Sequence, residues 1–181
     1  MDLTWLHHEP VFFAKLLAVS GSFIAMMTDM KWGKIFNWLT FPLIFLGFAI
    51  NSYGYGWSGF GNSLGASILG ISFYMGFALM GAMGMGDVKL MAAIGALGGV
   101  KYVVSAFLYT SVIGIPHALI VHGMNHGRNS LSMILTSYTT GVFLEKNIQN
   151  DNASLKYHYY LGLDIFCGTI LAWLFEIPLG Y

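Results

Sequence analysis

The sequence predicts an all-α integral membrane protein with about six transmembrane helices. Of its 181 residues, 56% are hydrophobic and only 9% are charged, whereas a soluble domain carries about 25% charged residues. Since so few charges cannot cover a water-facing surface of this size, the lipid bilayer must contact much of it. A helix needs roughly 20 mostly apolar residues to cross the hydrocarbon core, which leaves room for about six spans.

Apolar runs separated by polar stretches locate these spans. We predict them at about 11–27, 35–50, 63–82, 90–100, 102–121 and 159–175. The interval 51–62, rich in Gly, Ser, Tyr and Trp, is interpreted as an interfacial loop. The run 90–100 is too short to cross alone, so its helix either begins before Asp87 or stops short of the far side. Gly98-Gly99 breaks that run, and 122–157 is the longest predicted extramembrane segment.

Other features of the sequence bear on targeting, partners and cysteine chemistry. Asp2 and Glu9 precede the first apolar run, whereas a signal peptide begins with a positive stretch, so we expect this span to be retained. Residues 1–181 are expected to form a single membrane-embedded domain. The formal net charge of zero gives no indication of a nucleic-acid partner. Cys167 is the single cysteine, which excludes an internal disulfide and a CxxC metal site.

The basic residues predict the orientation. Of the eight lysines and arginines, six fall in loops on one side: Lys31, Lys34, Lys89, Arg128, Lys146 and Lys156. Because cytoplasmic loops are enriched in Lys and Arg, that side is expected to be cytoplasmic and both termini non-cytoplasmic. The same assignment places Asp29 and Asp87 on the cytoplasmic side.

Asp29 and Asp87 are the strongest candidates for chemistry. Asp29 ends one apolar run and Asp87 begins another, and charged groups at membrane depth are costly unless they are paired. If the first and fourth spans pack together, the two carboxylates form a coupled pair that shares a proton. One carboxylate then activates water while its protonated partner polarises a scissile carbonyl. Such a dyad needs no metal and no cofactor.

Gly84 and Gly86 remove side chains just ahead of Asp87. They permit close backbone approach, for example by an extended substrate. In a chain with 23 glycines, they also fit a simple helix cap, and the residues alone leave both interpretations open.

A family resemblance rests on both aspartate segments. Gly84-Met85-Gly86-Asp87-Val88-Lys89 resembles the GxGDxK motif of the type IV prepilin peptidase family, and residues 28–40 (TDMKWGKIFNWLT) are similar to its first-aspartate motif. The resemblance covers most of the chain. It implies a six-span aspartic endopeptidase of the cell membrane with Asp29 and Asp87 as its catalytic pair. It also implies a prepilin-like protein substrate, of type IV pilin, Tad or archaellin type, whose short basic leader is removed on the cytoplasmic side.

The chain departs from the family pattern at a few positions. Phe36 stands where the family usually has proline, and Lys31 replaces the commoner arginine. The larger family members carry an inserted domain with paired CxxC motifs and also methylate the new N-terminus. With one cysteine, this chain is expected to be a short protease-only form without N-methylation.

Other polar residues receive secondary roles. Lys89 is interpreted as a membrane-surface anchor in preference to a partner of the dyad, and Asn37 is expected to hydrogen-bond the loop around Asp29. Asp164 lies inside the last span, with either a structural role or one near the site. Three histidines are interpreted as ordinary interfacial or loop residues and no metal site is predicted: His117, His122 and His126.

Two other functions compete with this one. In a polytopic transporter or channel component, Asp29 and Asp87 would bind ions or protons; that function predicts internal repeats with broken helices, and none is convincing here. Presenilin-like and signal-peptide-peptidase-like proteases also carry GxGD. They have a tyrosine before the first aspartate and a Pro-Ala-Leu motif, whereas Thr28 precedes Asp29 and this chain contains no Pro-Ala-Leu.

Overall fold

The computed structural model describes residues 5–79, 83–126 and 160–175. These residues form four helices: α1 (Trp5–Trp32), α2 (Asn37–Leu79), α3 (Met85–His126) and α4 (Leu161–Leu174). No strand occurs in the described ranges. By length and composition, α1, α2 and α3 each contain a stretch that can cross a membrane, and α4 is a shorter apolar helix. The helical class predicted from composition agrees with this part of the chain.

Helix α2 consists of two segments that meet at Gly56, where φ is 62° and ψ is −144°. The segments are α2a, residues 37–55, and α2b, residues 57–79. Asn51 in α2a and Ser63 in α2b both donate hydrogen bonds to the carbonyl of Ala96. Because both segments reach the same carbonyl, the chain turns back on itself at Gly56. Glycine adopts this positive φ without the steric penalty that a Cβ brings.

Helix α3 divides in the same way at Gly99, where φ is 79°. The segments are α3a, residues 85–98, and α3b, residues 100–126. The backbone of Gly99 lies against Asn62, and the Phe73 ring stacks on Phe107 with 4.4 Å between centroids. Segment α3b therefore runs along α2b in the same direction, whereas α3a runs against it. The break predicted at Gly98-Gly99 is confirmed.

Helix α4 packs antiparallel to both α3b and α1. The Tyr102 hydroxyl of α3b donates to the Thr169 carbonyl at 3.0 Å, and the Phe23 ring of α1 lies 5.3 Å from that of Phe166. As a result, the C-terminal end of α1 meets the N-terminal ends of α2, α3 and α4. We call this meeting point the aspartate end, and Gly56 lies at the opposite end of the bundle.

Segment α3a forms the centre of the core. A helix that is apolar on every side is expected to be buried, and α3a is buried on all faces: Leu90, Met91, Ala93, Ile94 and Leu97. The Ser67 hydroxyl of α2b donates to the Ala92 carbonyl at 3.1 Å. Hydrogen bonds between helices and close small-residue contacts stabilise such packing where lipid replaces water.

Three sequence predictions can be compared with these helix bounds. The loop predicted at 51–62 is wrong, because these residues are helical on both sides of Gly56; one glycine suffices for the turn, and the Asn51 amide also donates to the Gly47 carbonyl. The helix that carries Asp87 begins at Met85. Of the two alternatives for this helix, the structure therefore shows the one in which it begins before Asp87. The predicted polar segment 122–157 is helical as far as His126, and its remainder lies outside the described residues.

Gly95→Ala is expected to destabilise the bundle. A Cβ at Gly95 would collide with the backbone carbonyl of Ala66 in α2b, and overpacking of this kind costs about 1–3 kcal/mol. We expect a lower unfolding temperature in detergent. Gly65→Ala is the matched control, because nothing lies within 4 Å of a Cβ at Gly65. Equal unfolding temperatures for the two variants would contradict the proposed close packing.

Candidate active site

Asp87 lies in the first turn of α3 and is buried, with 8% of its surface exposed. Its Oδ2 accepts a hydrogen bond from the Gly84 N–H at 3.2 Å, and the Gly84 carbonyl accepts one from the Asp87 N–H at 3.1 Å. A carboxylate at the third helical position that satisfies the N–H of the cap residue is half of a capping box. The local sequence therefore holds this carboxylate at a helix N-terminus, where negative charge is stabilised.

Asp29 lies in the last turn of α1 and is half-buried. Its Oδ2 accepts a hydrogen bond from the Gly162 N–H at 3.1 Å. Gly162 is the second residue of α4, whose free N–H groups point out of the helix N-terminus and favour an anion there. The negative charge of Asp29 therefore also faces a helix N-terminus, but one supplied by a distant part of the chain.

The structure places Asp29 and Asp87 at the same end of the bundle, in the last turn of α1 and the first turn of α3. Their carboxylates interact electrostatically, and each accepts a backbone hydrogen bond at a helix N-terminus. Two neighbouring carboxylates repel each other when both are ionised, so such a pair titrates as a unit and shares a proton. The N-termini of α3 and α4 converge on the pair and favour the negative charge that remains. If the pair shares one proton, one carboxyl group is ionised and the other is protonated.

The two motif glycines differ in their surroundings. A Cβ at Gly86 would lie 2.9 Å from the Ile35 Cβ and 3.2 Å from the Ile35 carbonyl oxygen. A Cβ at Gly84 would lie 3.3 Å from Oδ2 of Asp87. The close backbone approach expected at Gly86 is therefore present, and the approaching chain is the protein's own connection between α1 and α2.

Lys89 and Asn37 form a direct contact at the aspartate end. The Lys89 ammonium donates to Oδ1 of Asn37 at 2.8 Å and lies 5.5 Å from the centre of the Phe41 ring. The sequence predicts that Asn37 hydrogen-bonds the loop around Asp29. In the structure its partner is instead Lys89 on α3. The contact joins the start of α2 to α3 just after its first turn, which carries Asp87.

His117 and Asp164 form a second polar pair, which the sequence interpretation did not connect. Nδ1 of His117 in α3b lies 2.8 Å from Oδ1 of Asp164 in α4. Asp164 is 1% exposed. Asp164 follows Gly162, the donor to Asp29, by two residues, so the pair lies near the aspartate end of the bundle. A carboxylate inside an apolar run requires a polar partner. The histidine in the preceding apolar run could have indicated that partner from the sequence.

Among the described residues, no three His, Cys, Asp or Glu side chains are arranged to hold a metal ion. The predictions for His122 and His126 concern side chains outside the described part of the chain.

Comparisons with known proteins agree on one family. The profile of the type IV leader peptidase family matches residues 16–119, which include both aspartates. The prepilin leader peptidase/N-methyltransferase of Stutzerimonas stutzeri is 33% identical over 108 residues, which cover 56% of this chain and 37% of that protein. The match thus spans little more than a third of that relative's length. No solved structure matches significantly. Because the family profile covers more than half of the chain, the protein belongs to the type IV leader peptidase family.

Proposed function

We propose that this protein is a membrane aspartic endopeptidase that removes the short leader of prepilin-like substrates, with Asp29 and Asp87 as its catalytic pair. The observation that carries the proposal is that both carboxylates lie at one end of the bundle, each with a hydrogen bond from a backbone N–H at a helix N-terminus. Membership of the type IV leader peptidase family supports the substrate class. Type IV pilin, Tad or archaellin precursors are substrates of this kind.

The dyad explains peptide hydrolysis without any further group. The ionised carboxylate takes a proton from water, and the resulting hydroxide attacks the carbonyl carbon of the scissile peptide bond. The protonated carboxyl group donates its proton to the carbonyl oxygen. The tetrahedral intermediate then collapses, and the leaving amine takes up a proton from the dyad. The two converging helix N-termini stabilise the negative charge throughout this sequence.

We further propose that the segments α1, α2a, α2b, α3a, α3b and α4 form six membrane spans with the aspartate end in the cytoplasm. Exposed aromatic side chains flank both ends of the bundle, as they do at membrane interfaces. Trp32 and Trp38 lie at the aspartate end with 54% and 66% exposure, and Tyr53 and Trp57 lie near Gly56 with 92% and 89% exposure. The lysines of the aspartate end indicate the cytoplasmic side. Both termini are then non-cytoplasmic.

The transporter alternative is not supported. In transporters, broken helices expose backbone groups beside the bound ion. Here the non-helical residues Gly56 and Gly99 lie at the end of the bundle opposite Asp29 and Asp87.

The proposal is tested by cleavage of prepilin-like substrates in membranes that contain the full chain. A panel with one type IV prepilin, one Tad prepilin and one archaellin precursor is incubated, and the new N-terminus is identified by mass spectrometry. We expect cleavage just before the hydrophobic segment of at least one substrate, and none in membranes without the protein. Folded protein that cleaves none of the three substrates would overturn the proposal.

Lys89→Met is expected to lower kcat/KM about 10-fold, because misplacing a catalytic group by a fraction of an ångström already slows a reaction. The substitution keeps an unbranched side chain and removes both the hydrogen bond to Asn37 and the cation near the Phe41 ring. Lys101→Met at the opposite end of the bundle is the matched control for loss of a positive charge. Equal kcat/KM values for the two variants would show that the Lys89–Asn37 contact has no role in placing Asp87.

A further inference from the structure

The first turn of α4 determines the surroundings of Asp29. Its Gly162 N–H is the hydrogen-bond donor to the Asp29 carboxylate. A Cβ at Gly162 would lie 3.0 Å from both Cβ and Oδ2 of Asp29, so the two backbones are already at close range. Helix α4 packs against both α3b and α1, and contacts with these helices fix the position of its first turn.

Asp164 and His117 provide such a contact two residues after Gly162. The buried Oδ1 of Asp164 lies 2.8 Å from Nδ1 of His117. A hydrogen bond therefore joins α4 to α3b at this point, whichever of the two groups carries the proton. The other carboxyl oxygen, Oδ2, is buried without a hydrogen-bond partner in the described part of the chain. Burying a carboxyl oxygen without a partner is unfavourable for stability, so stability alone does not explain this pair.

Resting on the function proposed above, we infer that His117 and Asp164 are positioning residues that hold the first turn of α4 so that the Gly162 N–H stays on Asp29. The pair acts through α4 and not on the substrate. Its loss lets α4 shift along α3b, and the catalytic carboxylate loses both its hydrogen bond and the nearby helix N-terminus.

His117→Ala and Asp164→Ala are each expected to lower kcat about 10- to 100-fold, as displacement of a catalytic group does, while KM stays within about threefold. Two conservative variants keep the contact. In His117→Asn the side-chain amide can replace Nδ1, and in Asp164→Asn the amide oxygen can replace Oδ1. We expect both to retain kcat within about threefold of wild type.

Tyr102→Phe is the matched control. It removes another buried hydrogen bond between α3b and α4, at Thr169, without touching the first turn of α4. The kinetics of all five variants are measured on one prepilin-like substrate, together with unfolding temperatures in detergent. If an alanine variant does not fold, the corresponding asparagine variant and the control decide the outcome.

Several outcomes would overturn the inference. These are wild-type kcat in both alanine variants, the same loss in Tyr102→Phe, or no recovery in the asparagine variants. Asp164→Asn as inactive as Asp29→Asn would assign Asp164 to the chemistry and not to positioning. Failure of the proposed function gives a different result, in which Asp29→Asn itself keeps wild-type activity. Inactive dyad variants combined with fully active His117 and Asp164 variants would overturn only this inference.

Discussion

Asp29→Asn and Asp87→Asn are each expected to abolish substrate cleavage, with a loss in kcat of at least about 10²- to 10⁴-fold, the range that general acid–base catalysis contributes. An amide cannot take a proton from water, and it cannot protonate the carbonyl oxygen of the substrate. In the proposed mechanism the two carboxyl groups share one proton, so removing either one disables the pair. The double variant should therefore be no less active than either single variant.

The measurement is steady-state cleavage of a prepilin-like substrate by purified variants. Asn is nearly isosteric with Asp, so the unfolding temperatures in detergent should stay close to that of wild type. Asp29→Ala and Asp87→Ala exclude residual activity from deamidation of asparagine back to aspartate. Substantial cleavage by either alanine variant would contradict the assignment of a two-carboxylate dyad.

Gly86→Leu is expected to lower kcat about 100-fold, the effect of displacing a catalytic group by about 1 Å. Even a Cβ at this position would lie 2.9 Å from the Ile35 Cβ and 3.2 Å from the Ile35 carbonyl oxygen. A leucine must push the first turn of α3 away from this connection, and Asp87 is the next residue. Its carboxylate then moves relative to Asp29.

The smaller Gly86→Ala should give an intermediate loss, because only its Cβ has to be accommodated. Gly76→Leu in α2b is the matched control, since Gly76 is exposed and nothing lies within 4 Å of a Cβ there. Cleavage kinetics and unfolding temperatures are compared across the three variants. Activity of Gly86→Leu equal to that of Gly76→Leu would show that the close approach to Ile35 does not position Asp87.

Several features of the site follow from local sequence. The placement of Asp87 at a helix N-terminus follows from Gly84 as the cap and an acidic residue three positions later. The membrane class follows from the small number of charges, and the break in α3 follows from Gly98-Gly99. Hydropathy and turn residues report such features because each depends on neighbours along the chain.

Features that depend on which helices pack together could not be predicted from neighbours along the chain. The helix at 51–62 was missed because Gly, Ser and Tyr read as a loop, although only Gly56 leaves the helical conformation. Asn37 was placed near Asp29 but contacts Lys89. His117 was interpreted alone, since its partner Asp164 lies 47 residues away.

By itself, the sequence determined that this is a helical membrane protein with two acidic residues at the ends of apolar runs, in motifs that resemble one peptidase family. Only the tertiary structure decided that Asp29 and Asp87 lie at the same end of the bundle, that Gly162 donates to Asp29 across 133 residues, and that His117 pairs with Asp164. The physical reason lies in the membrane environment. Lipid-facing and helix-facing surfaces are both apolar, so the hydrophobic pattern marks the spans but does not say which of them pack together.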